Sequence, residues 1–259
     1  MHIIFLGDIV GKPGRKTVKK ILPELREYYN ADLVIANGEN AAGGRGITPA
    51  VLSELLTLNI DVVTTGNHIW DRKEIMSIIN EQARLLRPAN MSPHSPGKGV
   101  AIVPCGDHLI GIMNLVGRIF MSPADCPFQA ALREIDLLQK ITPTIILDFH
   151  AEATSEKLAM LWFLKDKVSA IIGTHTHVQT ADERICGKTA YISDVGMVGP
   201  YNSVLGLEPE SVLDKFLKGM PSDWRLATGE CILNGIYLQI DPFNGKTLQI
   251  ERIAKRYNI

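Results

Sequence analysis

The chain has 259 residues, with 27 Lys and Arg against 28 Asp and Glu, which gives a formal net charge of −1. A chain of this length can bury enough surface to fold without a disulfide or a structural metal. Its composition, 46% apolar and 21% charged, is that of an ordinary globular protein. The neutral balance excludes a strongly basic protein that binds nucleic acid by counterion release. We expect a single domain over residues 1–259 and no broad nucleic-acid surface.

The cysteines and the hydropathy pattern indicate the compartment. Cys105, Cys126, Cys186 and Cys231 form no CxxC pair, so neither a zinc ribbon nor a disulfide framework is expected. The N-terminal stretch MHIIFLGDIVG is interrupted too early for a signal peptide. No apolar run approaches the roughly 20 residues of a membrane span. We therefore expect a cytoplasmic protein with no membrane contact.

Short apolar runs alternate with amphipathic segments along the chain. The apolar runs predict strands at 2–7, 33–38, 61–66, 99–104, 108–117, 144–151, 169–175, 188–196, 230–240 and 246–253. Helical spacing of apolar residues predicts helices that start near Pro13 and at Thr48-Pro49, and further helices over 72–80, 130–140, 155–167 and 212–217. Asp71 is interpreted as the N-cap of the helix at 72–80.

This alternation predicts an α/β fold. Near-continuous apolar strands between helices indicate a buried, mostly parallel sheet that helices cover. The stretch 99–117 is predicted to pair antiparallel, and Asn244-Gly245 predicts a hairpin between the last two strands. We therefore expect an α/β sandwich with mixed sheets.

Polar residues follow the strands directly, at the edge where open α/β sheets bind ligands. Any one of them is usually a cap or a turn former, but the set selectively combines carboxylate, amide and imidazole. The candidate donors are Asp8, Glu39, Asn40, Asn67, His150, His175 and His177. Mixed oxygen and nitrogen donors without thiolate suit manganese, iron, zinc or cobalt. The set is too large for one catalytic metal and fits two metals that share a carboxylate, a site that assists in-line displacement at phosphorus.

The motifs GDIVG, GEN, GNHIW, DFHAE and GTHTHVQT resemble those of the calcineurin-like metallophosphoesterases, and most closely their YmdB-like bacterial branch. Two departures from the superfamily pattern, Val10 in place of a histidine and Glu39 in place of a bridging aspartate, are typical of that branch. SDVGMVGP at 193–200 also matches it. The resemblance covers almost the whole chain. It implies an αββα sandwich in which helices flank two mixed β-sheets.

The resemblance also implies a ligand assignment. One metal would be held by Asp8, Glu39, Asn40 and His177, and the second by Asn67, His150 and His175, with Glu39 as the bridge. We expect two divalent or trivalent metal ions, with iron favoured and manganese or zinc as alternatives. Asn40 takes the place of the missing histidine.

His68 follows a ligand directly, so its expected role is to donate a proton to the leaving oxygen or to stabilise the phosphoryl charge. The alternative role is only to orient Asn67. Arg45 is a candidate substrate-binding residue, with an ordinary solvated charge as the alternative. Glu152 and Asp194 either orient metal-bound histidines or cap loops. His2, His94 and His108 match no motif.

The function implied by the resemblance is hydrolysis of cyclic nucleotides, with 2′,3′-cyclic monophosphates favoured. A phosphomonoesterase or protein phosphatase on the same site is the alternative within enzymes. A regulatory protein that binds metals and a nucleotide with slow turnover is the alternative from another class. A homo-oligomer is also expected.

Overall fold

The computed structural model describes residues 1–220 and 223–258. The strands are β1 (His2–Leu6), β2 (Asp8–Ile9), β3 (Leu33–Asn37), β4 (Val62–Thr64), β5 (Val100–Cys105), β6 (His108–Val116), β7 (Ile145–His150), β8 (Ala170–Thr174), β9 (Arg184–Cys186), β10 (Thr189–Ile192), β11 (Met197–Pro200), β12 (Cys231–Ile240) and β13 (Thr247–Tyr257). The helices are α1 (Gly11–Tyr29), α2 (Pro49–Thr57), α3 (Pro127–Leu138), α4 (Thr154–Leu164) and α5 (Pro209–Lys218).

The strands form two mixed sheets. The 7-stranded sheet runs in the order β2-β11-β12-β1-β3-β4, and β13 pairs with β12. The 6-stranded sheet runs in the order β5-β6-β7-β8-β10-β9. Within each sheet several neighbouring strands are parallel, β1-β3-β4 in one and β6-β7-β8-β10 in the other. The hairpin of β12 and β13 and the β5-β6 pair are antiparallel, as predicted.

Strand alternation sorts the apolar residues into layers, because successive side chains point to opposite faces of a sheet. In β1, Ile4 and Leu6 pack with α1 and α2, whereas Ile3 and Phe5 pack against the second sheet. On the outer face of that sheet, Phe149 packs with α3 and α4. The predicted αββα sandwich with two mixed sheets is therefore confirmed.

One predicted helix is wrong. In place of a helix over 72–80 the chain forms a short 3₁₀ stretch, Lys73–Ser77, and turns. Ile75 and Ile79 are buried at helical spacing, which explains the periodic signal. The Arg72 side chain donates to the carbonyls of Ala42 (3.1 Å) and Arg45 (3.2 Å) on a neighbouring loop. The segment therefore packs on that loop through tertiary contacts that the periodicity does not contain.

The Thr48-Pro49 start of α2 is confirmed, since the Thr48 side chain accepts a hydrogen bond from the Val51 amide at 3.3 Å. The four cysteines all lie in the described ranges, and each has a free thiol. Among helices formed by the described residues, none combines the length and the apolar character that a membrane span requires.

Candidate metal centre

The two sheets bring their carboxyl ends to one edge of the sandwich. The first sheet supplies the donors of β2 and of the loops after β3 and β4, and the second sheet supplies those at the ends of β7 and β8. The structure brings all the predicted donors together at this edge: Asp8, Glu39, Asn40, Asn67, His150, His175 and His177. The cluster therefore lies across both sheets.

One group of donor atoms surrounds the Nε2 atom of His150. Glu39 Oε1 lies 3.0 Å from it, Asn67 Oδ1 3.1 Å and His175 Nδ1 3.0 Å. Donors on a metal with ligand bonds of about 2.1 Å lie about 3.0 Å apart at octahedral corners. Each of these donor atoms therefore lies as far from His150 Nε2 as a second ligand of the same ion would, and the donor atoms of Glu39, His150 and His175 all lie within 4.8 Å of one another.

A second group adjoins the first. The Nε2 atom of His177 lies 3.2 Å from Asn40 Oδ1 and 3.8 Å from Asp8 Oδ1. Asp8 Oδ1 is also 3.9 Å from Nδ1 of His150. Asp8 therefore lies between the two groups in a fully buried position.

The donor chemistry fits metal ions. Asp8 Oδ1 is buried and has no hydrogen-bond partner among the residues that the structure describes. A buried carboxylate oxygen without a partner is costly, and a cation would satisfy it. Two metal ions could be held by these two groups, and they would supply positive charge for a phosphoryl group and lower the pKa of a bound water.

Electrostatics inside the cluster are strongly coupled. Burial raises the pKa of Asp8 to about 7, although His177 and His150 oppose this shift. Burial alone would raise the pKa of Glu39, but the charge and hydrogen bond of His150 lower it to about 2. In return Glu39 raises the pKa of His150 to about 9 against the effect of burial. Burial and the neighbouring His150 lower the pKa of His175 to about 3, so that His175 is neutral and has a lone pair to donate.

The turn after β8 has an unfavourable backbone. His175 has φ +101° and His177 has φ +66°, in the left-handed region that residues with side chains rarely adopt. Such strain persists only where the surroundings enforce it. Lys157 Nζ donates to the Thr174 carbonyl at 2.8 Å, and the Thr176 amide donates to Asp194 Oδ2 at 2.9 Å. These bonds hold the backbone on both sides of His175.

Gly66 shows how closely the two sheets approach. A Cβ atom at this position would lie 2.2 Å from Cδ2 of His150 and 2.3 Å from Oε2 of Glu39. Both neighbours are fully or almost fully buried, so neither can move away easily. The glycine of the GNH motif is therefore required by the packing of the cluster.

Sequence reasoning missed the residues that orient His150. Thr174 Oγ1 lies 2.9 Å from His150 Nδ1 and donates to Asp148 Oδ1 at 2.7 Å. Asn37 Nδ2 donates to the other carboxylate oxygen of Asp148 at 3.1 Å. Because Thr174 donates to Asp148, its oxygen accepts the Nδ1 proton of His150. The Nε2 atom is then the ring nitrogen that faces Glu39 and the other donors. The sequence signal for this support was Asp148, a charged residue inside the apolar run TIILDFHA.

The structure also corrects Asp71. The N-cap of the 3₁₀ stretch is Arg72 and not Asp71, and no side chain caps that turn. Instead, Asp71 Oδ2 lies 3.0 Å from Nδ1 of His68 and 3.5 Å from Nε of Arg45. The carboxylate thereby orients the His68 ring and leaves its Nε2 atom available. The contact depends on the turn over 68–71, in which the Asp71 amide donates to the His68 carbonyl at 3.0 Å.

Glu152 and Asp194 were each expected either to orient a histidine or to cap a loop, and the structure gives them different roles. Glu152 Oε2 lies 3.0 Å from Nε2 of His175, which is the geometry of a group that orients this ring. Asp194 caps the turn instead: it accepts from the Thr176 and Gly196 amides and pairs with Lys157. His2 contacts the Tyr237 hydroxyl at 2.6 Å, away from the cluster.

A cavity of about 410 Å³ opens onto the cluster. Its polar side includes Glu39, Asn40, His68 and the two histidines of the turn after β8, and Arg45 lies at its edge. A volume in this range is typical of small-molecule sites. The cavity therefore offers a ligand direct access to both donor groups and to His68.

The chain is similar to a family model, to a named relative and to solved structures. A family model described as YmdB-like protein matches residues 4–253. A Bacillus subtilis (strain 168) protein named 2′,3′-cyclic-nucleotide 2′-phosphodiesterase is 46% identical over 254 residues, which cover 98% of this chain and 96% of that protein. A solved structure of a hypothetical protein from Thermus thermophilus is 38% identical, with a TM-score of 0.92 and 99% of each chain covered. A solved structure described as a novel phosphatase from Mycoplasma pneumoniae is 35% identical, with a TM-score of 0.94, and the match covers 100% of this chain and 94% of that chain.

The sandwich of two mixed sheets is the fold of the calcineurin-like metallophosphoesterases. Within that class, the chain belongs to the YmdB-like family. The resemblance in the motifs is thereby confirmed.

Proposed function

We propose that this protein is a dinuclear-metal phosphodiesterase that hydrolyses cyclic nucleotides, with nucleoside 2′,3′-cyclic monophosphates as its favoured substrates. The observation that supports this function best is the pair of adjoining donor groups at the base of one cavity, with His68 beside them. The name of the Bacillus subtilis relative supports the substrate class.

The candidate donors would hold two metal ions. Asp8, Asn40 and His177 would hold one metal ion, Asn67, His150 and His175 the other, and Glu39 would bridge both. Iron is the favoured metal, and manganese or zinc are the alternatives, since all three accept mixed oxygen and nitrogen ligands. When bound, the metal pair neutralises phosphoryl charge and lowers the pKa of water to give a nucleophile near neutral pH.

His68 would protonate the ester oxygen that leaves. Asp71 accepts the Nδ1 proton of His68 at 3.0 Å, so the ring presents Nε2 to the cavity that it lines. A positioned acid of this kind contributes about 10²- to 10⁴-fold to a rate. Arg45, at the edge of the same cavity, would contact the phosphate or the ribose.

A phosphomonoesterase on the same site is the second candidate, which the description of the Mycoplasma pneumoniae structure favours. The test is to assay the purified protein with added Mn²⁺ on bis-p-nitrophenyl phosphate and p-nitrophenyl phosphate. A parallel assay compares 2′,3′- with 3′,5′-cyclic nucleotides, together with metal analysis. Faster diester hydrolysis supports the proposal, and faster monoester hydrolysis supports the alternative. If the protein holds metal but hydrolyses neither substrate, it is a regulatory protein that binds metals and a nucleotide with slow turnover.

The homo-oligomer, the single domain and the cytoplasmic location stay predictions.

A further inference from the structure

The cavity at the metal centre has two chemically different sides. Besides the donor side chains, its lining includes an apolar and aromatic set: Leu205, Leu207, Trp224 and Leu226. These residues come from the segment between β11 and β12, which contributes none of the candidate metal ligands and not the candidate acid His68. A ligand that fills this cavity therefore meets both charged and apolar surface.

The apolar side is joined directly to the donor cluster. The Leu205 carbonyl lies 3.1 Å from Nδ1 of His177, and the Leu205 side chain is half-exposed. Arg45 links Trp224 to the pair of Asp71 and His68, since its guanidinium lies 5.7 Å from the Trp224 ring centroid and 3.5 Å from Asp71. Two side chains, Arg45 and Asp71, thus connect the indole to His68, the group proposed to protonate the leaving oxygen.

Trp224 presents an aromatic surface to this cavity. The residue remains 44% exposed although it lines the cavity, and Lys215 Nζ lies 4.5 Å from its ring centroid. The other neighbour, Arg45, is itself half-exposed and held by one surface ion pair, an interaction that contributes little to stability. Displacement of the Arg45 guanidinium from the Trp224 ring by a stacking ligand therefore costs little free energy.

We infer that Trp224, with Leu205 and Leu226, forms a nucleobase subsite of the metal centre. The inference rests on the proposed function, because the phosphate must lie at the donor cluster for the base to reach the indole. The base stacks on Trp224 in place of the Arg45 guanidinium, and Arg45 turns toward the phosphate or the ribose. Stacking on an aromatic ring tolerates every base, since each has a π face. The subsite thus selects nucleotides over base-free diesters.

The test compares two substrates that share the reacting group. One is adenosine 2′,3′-cyclic monophosphate, and the other is 1-O-methylribose 2′,3′-cyclic phosphate, which has no base. Trp224→Ala should raise KM for the nucleotide about tenfold, the loss that one stacking contact predicts. The kcat for the nucleotide and both constants for the base-free diester should stay within about twofold. Trp224→Phe should restore most of the nucleotide KM.

The matched control is Trp162→Ala. Trp162 is also exposed and also has a lysine ammonium, that of Lys165, 5.8 Å from its ring centroid, but it is not part of the cavity. Thermal unfolding of each variant separates a folding defect from a binding defect. If Trp224→Ala changes KM for both diesters equally, or for neither, the inference is wrong.

A binding measurement keeps the inference separate from the proposed function. Adenosine 3′-monophosphate is titrated into the metal-loaded protein, and the heat of binding is recorded by isothermal titration calorimetry. Binding that Trp224→Phe retains and Trp224→Leu loses supports the subsite even if no diester is hydrolysed, in which case only the proposed function fails. Equal affinity of both variants overturns the subsite even if diesters are hydrolysed.

Discussion

The Lys157 ammonium lies 2.9 Å from the Asp194 carboxylate, and both side chains are 2% exposed. The pair holds the turn that carries His175 and His177: Lys157 donates to the Thr174 carbonyl, and Asp194 accepts from the Thr176 amide. Since both histidines have positive φ values, the turn would relax toward ordinary dihedral angles without these bonds. A buried ion pair outside the cavity lining thus determines where two candidate ligands lie.

The first prediction concerns this pair. Lys157→Met should lower the free energy of unfolding by about 3–5 kcal/mol, because it leaves the buried Asp194 carboxylate without its counter-ion. Bound metal should fall as well, since the turn loses its anchor. Chemical denaturation and metal analysis measure the two effects. The control is Lys165→Met at the exposed end of α4, and equal behaviour of the two variants would refute the role of the pair.

The second prediction concerns the proposed bridge. Glu39 Oε1 lies 3.0 Å from His150 Nε2 in the buried centre of the cluster. Glu39→Gln removes the charge that two metal ions would share, so metal content should fall to half or less. Inductively coupled plasma mass spectrometry measures this content. Glu24→Gln, at an exposed position of α1, is the control. Full occupancy by two metals in Glu39→Gln would contradict the bridging assignment.

The third prediction separates His68 from the ligands. His68→Ala should lower kcat by about 10²- to 10⁴-fold, the contribution of a positioned acid, while metal content stays at the wild-type level. Asp71→Asn should cause a smaller loss, because the ring remains but its orientation weakens. Steady-state kinetics with metal analysis tests both variants. His94→Ala, at an exposed loop residue, should behave as wild type, and full activity of His68→Ala would exclude the acid role.

The fourth prediction concerns the orientation of His150. Thr174→Val keeps the shape of the side chain but removes the hydroxyl between His150 and Asp148. Loss of such a support typically lowers metal affinity by about 10- to 100-fold. Competition with a fluorescent chelator measures the affinity, and wild-type affinity in Thr174→Val would rule out this support. Thr142→Val removes a comparable buried hydroxyl that donates to the Leu109 carbonyl, and it should reduce stability without changing metal affinity.

The fifth prediction concerns metal removal. A ligand that binds only the folded state stabilises it by about 2.7 kcal/mol at a concentration 100 times its Kd. Dialysis against a chelator should therefore lower Tm, and Mn²⁺ or Fe²⁺ should restore it. The Glu39→Gln variant should show a smaller Tm shift. An unchanged Tm in the wild-type protein after complete metal removal would argue against a site of this affinity.

The sequence by itself determined the local elements and the chemistry at their ends. Apolar periodicity predicted most helices and strands, because strand and helix differ in how often a side chain returns to the same face. The donors could be predicted because each follows its strand directly and parallel strands end at one edge of a sheet.

Only the tertiary structure decided what depends on distant parts of the chain. The segment after Arg72 forms a 3₁₀ turn because Arg72 contacts a neighbouring loop, and Asp71 orients His68 instead of capping a helix. Asp148 and Thr174 support His150 from inside the second sheet. Trp224 reaches the cavity from a segment far along the chain. Apart from the Asp71–His68 contact within one turn, these contacts depend on how separate segments of the chain pack together, which no local pattern encodes.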